Sequence, residues 1–179
     1  LRAALDSDAV GRVFNDEFGG NRIFFGRYTG ETPVTGFREH PRESAKDDVG
    51  RRGRQLEKLF DYYLEVDKTQ DAISRLLKAS DGVETELGTP GGNLSPSDRY
   101  MFPRSNGSEM LDRWNIQETP PDILITNVSM LGGMLNREVD LPILEKTRDW
   151  LMSDVDSYFY LVIDELHLHR GTAGTEVAY

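Results

Sequence analysis

Two adjacent carboxylates, Asp164 and Glu165, followed by histidines at 167 and 169, close an apolar and aromatic run from Tyr158 to Ile163. An acid pair of this kind can hold a divalent cation, usually through water, and can orient and polarise an attacking water. The run ahead of it is short, rich in aliphatic and aromatic residues and bounded by charge, which predicts a parallel strand covered on both faces. Ligands of open α/β sheets sit just beyond the carboxyl ends of the strands, so Asp164 and Glu165 are expected to emerge where a bound group is held. An ordinary strand ending in solvated acids would look the same at those two positions alone. His167, three places after Asp164, is what sharpens the reading.

A metal site is the second reading of the same stretch. Glu165, His167 and His169 alternate and would share one side if the strand continued, and His40 is the remaining member of the three histidines. The spacing is not the His-Glu-x-x-His of zinc proteases, so a metal-dependent hydrolase stands behind the first reading.

Two further segments are placed to meet a ligand at the same edge. Tyr28-Thr29-Gly30 follows the strand-like stretch Asn21–Tyr28, and Thr126-Asn127 follows the buried-type strand Asp122–Thr126. Small hydroxyl and amide side chains with exposed backbone N–H groups suit a sugar-phosphate backbone gripped without sequence reading. Ordinary turn and capping chemistry is the competing account of each.

The elements that must position these residues follow from periodicity and punctuation. Leu1 to about Phe14 reads as an amphipathic helix stopped by Gly19-Gly20. Asn127 is placed to cap a helix over Val128–Leu135, and Pro142 suits the first turn of another, with Leu144, Thr147, Trp150 and Leu151 spaced to face a core. Strands alternating with helices predict an α/β fold with a parallel sheet.

From about Thr35 to Ser108 the charge density rises and apolar periodicity becomes patchy, over a length too great for a simple connection. Residues 38–103 are therefore read as an insertion. Arg51–Lys78 is helical, with Leu56, Leu59, Phe60, Tyr63 and Leu64 on one side and a second short helix near Ala72–Leu77; Ser80–Ser108 is loop. Seven basic residues between Arg38 and Lys58 are interleaved with Glu39, Glu43, Asp47, Asp48 and Glu57, which favours a solvated helical face over a nucleic-acid patch.

Composition excludes several classes. With 37% hydrophobic and 29% charged residues the chain suits a globular protein, and no apolar run approaches membrane-spanning length. No cysteine occurs, which removes disulfides and thiolate metal sites and leans towards a cytoplasmic setting. Both ends read as cuts, with no methionine at Leu1 and helix-like residues running to Tyr179.

Taken together, Gly26-Arg-Tyr-Thr-Gly-Glu-Thr-Pro33, Pro120-Pro-Asp-Ile-Leu-Ile-Thr-Asn-Val-Ser-Met-Leu131 and Val162-Ile-Asp-Glu-Leu-His-Leu-His-Arg-Gly-Thr-Ala-Gly-Thr-Glu-Val-Ala178 resemble the first RecA-like domain of superfamily 2 DExH helicases. More narrowly, the chain resembles large bacterial helicase-like proteins of the mitomycin-repair, Lhr-like and phage-defence types. The resemblance covers residues 1–37 and 104–179 well and residues 38–103 poorly. It implies a RecA-like P-loop NTPase domain that uses ATP and Mg²⁺, with Asp164 and Glu165 as the Walker B pair and Asp164 holding the metal through water. His167 of the DExH box would couple nucleotide state to nucleic-acid binding. Thr29, Gly30, Thr126 and Asn127 would touch the backbone of a tracked strand, more often DNA than RNA. Many relatives carry Thr-Pro where this chain has Asn127-Val128, and an Arg-Gly like Arg170-Gly171 follows the box in the narrower group.

No Gly-Lys-Ser/Thr occurs in the chain, so the loop that cradles the phosphates is not among these residues, and neither is the downstream Ser-Ala-Thr motif. The expectation is a partial domain, inactive alone, within an ATP-dependent helicase or translocase. A net charge of −10 argues against bulk attraction to nucleic acid, although such motors confine their backbone contacts to one groove. The alternative is a non-catalytic RecA-like module that recruits a protein partner through the insertion.

Overall fold

The computed structural model of the protein describes residues 1–42, 45–80 and 95–164. At its centre is a parallel three-stranded sheet formed by β1 (Phe25–Tyr28), β2 (Glu109–Met110) and β3 (Ile123–Thr126), in the order β2-β1-β3. Phe25 stands opposite both Glu109 and Ile123, and the β1–β3 ladder runs on to pair Tyr28 with Thr126. The expected α/β class with a parallel sheet is thus present in a small form.

Being the middle strand, β1 is buried at Phe25, Gly26 and Tyr28 and exposed at Arg27. One sheet face is covered by α4 (Arg113–Glu118), α5 (Val128–Asn136) and α6 (Leu141–Ser153). Tyr28, Ile116, Met134 and Ile143 form the core there, with Met110, Leu124 and Met130 packed against them. Gly26 suits this packing: a Cβ at that position would lie 2.8 Å from Ile116 Cδ1 and 3.1 Å from Ile116 Cγ1, so the buried Ile116 side chain would have to shift. Asp112 caps α4 by accepting the Asn115 N–H at 3.0 Å, and Pro142 opens α6 as expected. Trp150, which the spacing assigned to the core, is instead 51% exposed.

At the N-terminus the expected single helix is two, α1 (Arg2–Leu5) and α2 (Asp8–Glu17). Ser7 breaks the run by capping α2 through the Val10 N–H, and Asp6 turns away to the Arg22 guanidinium and the Ser108 N–H.

Within residues 38–103 the two expected helices are one, α3 (Ala45–Ser80), a 36-residue helix about 54 Å long. Its inward seam is Leu59, Tyr63, Val66, Gln70 and Ile73, spaced by three and four residues, while Leu56, Phe60 and Leu64 are exposed. Apolar residues lie on two adjacent sides of this helix, and the side chosen is the one that meets polar anchors. Tyr63 donates to Asp112 Oδ2 at 2.9 Å, and the Gln70 amide donates to the Pro103 carbonyl at 2.9 Å. Part of the expected loop, Pro96–Met101, is a 3₁₀ helix with a Ser95–Asp98 capping box.

The strand predicted at Tyr158–Ile163 is not one. Residues 158–163 carry no strand assignment, and Tyr158, Tyr160 and Val162 are 66%, 81% and 86% exposed. Composition makes a segment suited to a sheet, but a strand exists only where a neighbour supplies the ladder of hydrogen bonds. Among the described residues the free edge of β3 has no such neighbour.

Candidate functional site

The register of β1 and β3 decides the geometry of the carboxyl edge. Because Tyr28 pairs with Thr126 in a parallel ladder, Thr29-Gly30 and Asn127 leave the sheet side by side. Four of the residues singled out from sequence are therefore brought together. Asp164 is not in the sheet; it is exposed at a turn after residues 158–163. Glu165, His167, His169 and Arg170 lie outside the described residues.

Each side chain at this edge is tied to the protein's own backbone. Thr126 donates its hydroxyl to the Tyr28 carbonyl at 2.8 Å, which locks the two strand ends together. Asn127 Oδ1 accepts the Met130 N–H at 2.8 Å and caps α5, as its position predicts. Thr32 closes the turn after β1: its hydroxyl accepts the Thr29 N–H at 3.0 Å and donates to the Arg27 carbonyl at 2.6 Å. Thr29 Oγ1 accepts the Glu31 N–H at 3.4 Å. Open to a ligand are the exposed Gly30, where a Cβ would meet nothing within 4 Å, and the exposed Asn127, whose cap uses only Oδ1; the Thr29 hydroxyl accepts from Glu31 and can still donate.

Behind the edge is a set of buried charges that sequence reasoning passed over. Arg113, 5% exposed, donates from Nη2 to the Thr29 carbonyl at 2.5 Å and lies over the Tyr28 ring at 5.5 Å. Asp140 is fully buried; Tyr28 donates its hydroxyl to Oδ1, and Arg137 Nε donates to Oδ2 at 2.7 Å. The Gln117 amide donates to the Tyr28 hydroxyl at 2.7 Å. Burial, then the hydrogen bond to Asp140, hold the Tyr28 phenol well above its ordinary pKa. Tyr63 is raised likewise, by burial first and then by the charge of Asp112. The i, i+3 spacing of Arg137 and Asp140 was a local signal for part of this network, but the partnership with Tyr28 was not.

Two cavities adjoin the strand ends. One of about 180 Å³ is lined by Arg27, Thr29, Thr32, Tyr62 and Glu109 among others. Glu109, 7% exposed, is paired with Arg2 and, at 3.0 Å, with Arg27. The second, of about 260 Å³, lies between Phe24, Tyr63, Ser105 and Asn115.

Among the described residues no group of three or more His, Cys, Asp or Glu side chains is placed to hold a metal. His40 is engaged locally, with Nδ1 accepting the Arg42 N–H at 3.0 Å and its ring against Phe37. No helix among the described residues is long and apolar enough to cross a membrane.

The chain is similar to Druantia protein DruE of Escherichia coli strain UMEA 4076-1, with 31% identity over 177 residues. The match takes in 87% of this chain, which spans only 9% of the length of that protein. No family model matches the chain, and no solved structure matches it.

Proposed function

We propose that the chain is part of the first RecA-like domain of a DExH-type helicase or translocase, one that acts on nucleic acid, preferentially DNA, at the expense of ATP. The observation that carries this reading is the Tyr28–Thr126 register, which sets Thr29-Gly30 beside Asn127 at the carboxyl edge of a parallel sheet. The similarity to a Druantia protein supports the phage-defence branch of the resemblance over the repair branch. Residues 38–103 are read as an insertion in the domain, built on α3.

In this reading Thr29, Gly30, Thr126 and Asn127 form the contact edge for the sugar-phosphate backbone, with Gly30, Asn127 and the Thr29 hydroxyl facing it and the Thr126 hydroxyl, bonded to the Tyr28 carbonyl, holding the edge in register. Asp164 and Glu165 form the metal and water side of a nucleotide site, with His167 linking it to the bound strand. Asp164 fits a Mg²⁺ role in one respect: it is exposed and carries no ion pair among the described residues. When bound, ATP with Mg²⁺ supplies the phosphoryl group whose hydrolysis drives movement. The phosphate grip must come from elsewhere, since no Gly-Lys-Ser/Thr occurs in these 179 residues.

The test is Glu165→Gln in a protein of the relative's length. Nucleotide binding is expected to persist while DNA-stimulated turnover falls by two orders of magnitude or about that. Unchanged turnover would remove Glu165 from the chemistry. The 179-residue chain alone is expected to show no ATP turnover.

A second reading, an interaction module that recruits a protein partner, draws on the exposed Leu56, Phe60 and Leu64 of α3. It would be favoured by loss of biological function on substituting these residues while Glu165→Gln has no effect.

A further inference from the structure

Helix α3 reaches the carboxyl edge of the sheet and brings an aromatic side chain to it. Tyr62 lines the cavity of about 180 Å³ together with Thr29 and Thr32, so a residue of the inserted segment shares a wall with the turn after β1. Its ring is braced on one side: it meets Tyr63 edge-on, with ring centroids 6.0 Å apart and an interplanar angle of 84°, and Tyr63 is anchored to the buried Asp112. A ring braced before binding gives up less conformational freedom when a ligand stacks on its open face.

The charges around the cavity select what can enter. Glu109 is paired with both Arg2 and Arg27, while Glu31 stands exposed at the rim. Taken together, the carboxylates of Glu109 and Glu31 offset the guanidiniums of Arg2 and Arg27, so the cavity carries no net charge to draw a phosphate into it. The space therefore suits a planar, uncharged group with polar edges, met by the ring of Tyr62 and by the hydrogen-bonding atoms of Arg27 and Thr29. That is the chemistry of a nucleobase rather than of a nucleotide phosphate.

We propose that Tyr62 is a stacking platform for one base of a single strand whose backbone passes over Thr29-Gly30. The inference rests on the backbone-gripping reading of that turn and adds a base contact made by the insertion. Stacking of this kind tolerates any base, in keeping with a motor that does not read sequence.

The experiment measures binding of a fluorescein-labelled oligothymidine to the 179-residue protein, and photo-crosslinking of its 5-iodouracil form. Tyr62→Ala and Tyr62→Leu are expected to bind about tenfold more weakly, the loss of one base–aromatic stack, and to lose the crosslink. Tyr62→Leu keeps apolar bulk at this position of α3, so a packing role alone would spare it. Tyr62→Phe, which retains the ring, restores tight binding. Gly30→Asp is the parallel control, because Gly30 has open space around it and an added carboxylate there would repel a passing phosphate. Weaker binding by Gly30→Asp with native binding by Tyr62→Leu overturns the stacking role and leaves the backbone reading in place. Native binding by both, or no binding by the unsubstituted protein, overturns both. Equal losses for Tyr62→Phe and Tyr62→Leu would also overturn stacking, since the ring would then be irrelevant.

Discussion

Arg113 holds Thr29 by its carbonyl oxygen, donating from Nη2 at 2.5 Å across 84 residues of sequence. The backbone N–H of Arg113 also donates to the Pro33 carbonyl at 3.2 Å, so one residue at the first turn of α4 grips both ends of the turn that follows β1. The guanidinium lies over Tyr28 as well, and its planar fork serves the ring and the carbonyl at once.

Arg113→Lys should therefore be costly although it keeps the charge. A lysine offers a point charge that cannot satisfy both contacts, and the expected loss is about 1–3 kcal/mol of stability by urea unfolding. Single-strand binding should weaken with it, because the Thr29-Gly30 turn loses its outer support. Unchanged stability and binding would show that the clamp contributes nothing.

Removing Asp140 is expected to hurt more than removing Tyr28's hydroxyl. Asp140→Ala strips partners from Arg137, Tyr28 and Gln117 together. Arg137 is 40% exposed and can recover water, so about 2–4 kcal/mol is expected rather than the full cost of a stranded buried charge. Tyr28→Phe deletes one hydroxyl and should cost about 1–2 kcal/mol. Thermal melts of the two variants give the order, and a reversed order would refute the account of the network.

Gly26 and Gly30, four residues apart, should differ in their response to alanine. At Gly26 the new methyl would meet Ile116 Cδ1 at 2.8 Å and Pro121 Cγ at 3.4 Å, and overpacking of this kind costs about 1–3 kcal/mol. At Gly30 a methyl meets nothing within 4 Å, so Gly30→Ala should leave the melting temperature unchanged. An unchanged melting temperature for Gly26→Ala would overturn the expectation that the buried Ile116 side chain has no room to yield.

High pH should unfold the protein through two phenols. Tyr28 and Tyr63 both have folded pKa values raised above the ordinary phenol value of 10.0, chiefly by burial. A raised pKa means that the folded state holds the proton more tightly than the unfolded chain does. The associated stability is fully present below about pH 10 and is lost as pH climbs from there towards the folded values. Urea midpoints should fall steeply above about pH 10, less so in Tyr28→Phe, while tyrosinate absorbance from these two rings appears only with unfolding. Equal midpoints at about pH 9 and about pH 11 would contradict this.

Much of the local architecture was legible in the residues. Asn127 before an apolar run and Pro142 at a helix start are signals carried within a few neighbours and appear in place. The strand-like stretches Asn21–Tyr28 and Asp122–Thr126 appear as the shorter strands Phe25–Tyr28 and Ile123–Thr126, the latter half-exposed at Ile123 and Ile125 rather than buried because β3 is an edge strand among the described residues. Parallel pairing followed from the helices between strands, and with it the meeting of Thr29-Gly30 and Asn127 at one edge. Three features were decided only by tertiary contact. Leu59 rather than Phe60 turns inward on α3 because Asp112 and the Pro103 carbonyl wait on that side for Tyr63 and Gln70. Tyr158–Ile163 has the composition of a strand, yet without a paired neighbour among the described residues it carries no strand assignment. Arg113 meets Thr29, and Tyr28 meets Asp140 across 112 residues, because folding sets distant polar groups in one dry place where each must find a partner. Caps, turns and periodicity are settled within a few residues of chain, whereas the choice of which face, which edge and which charge is buried belongs to the whole packed molecule.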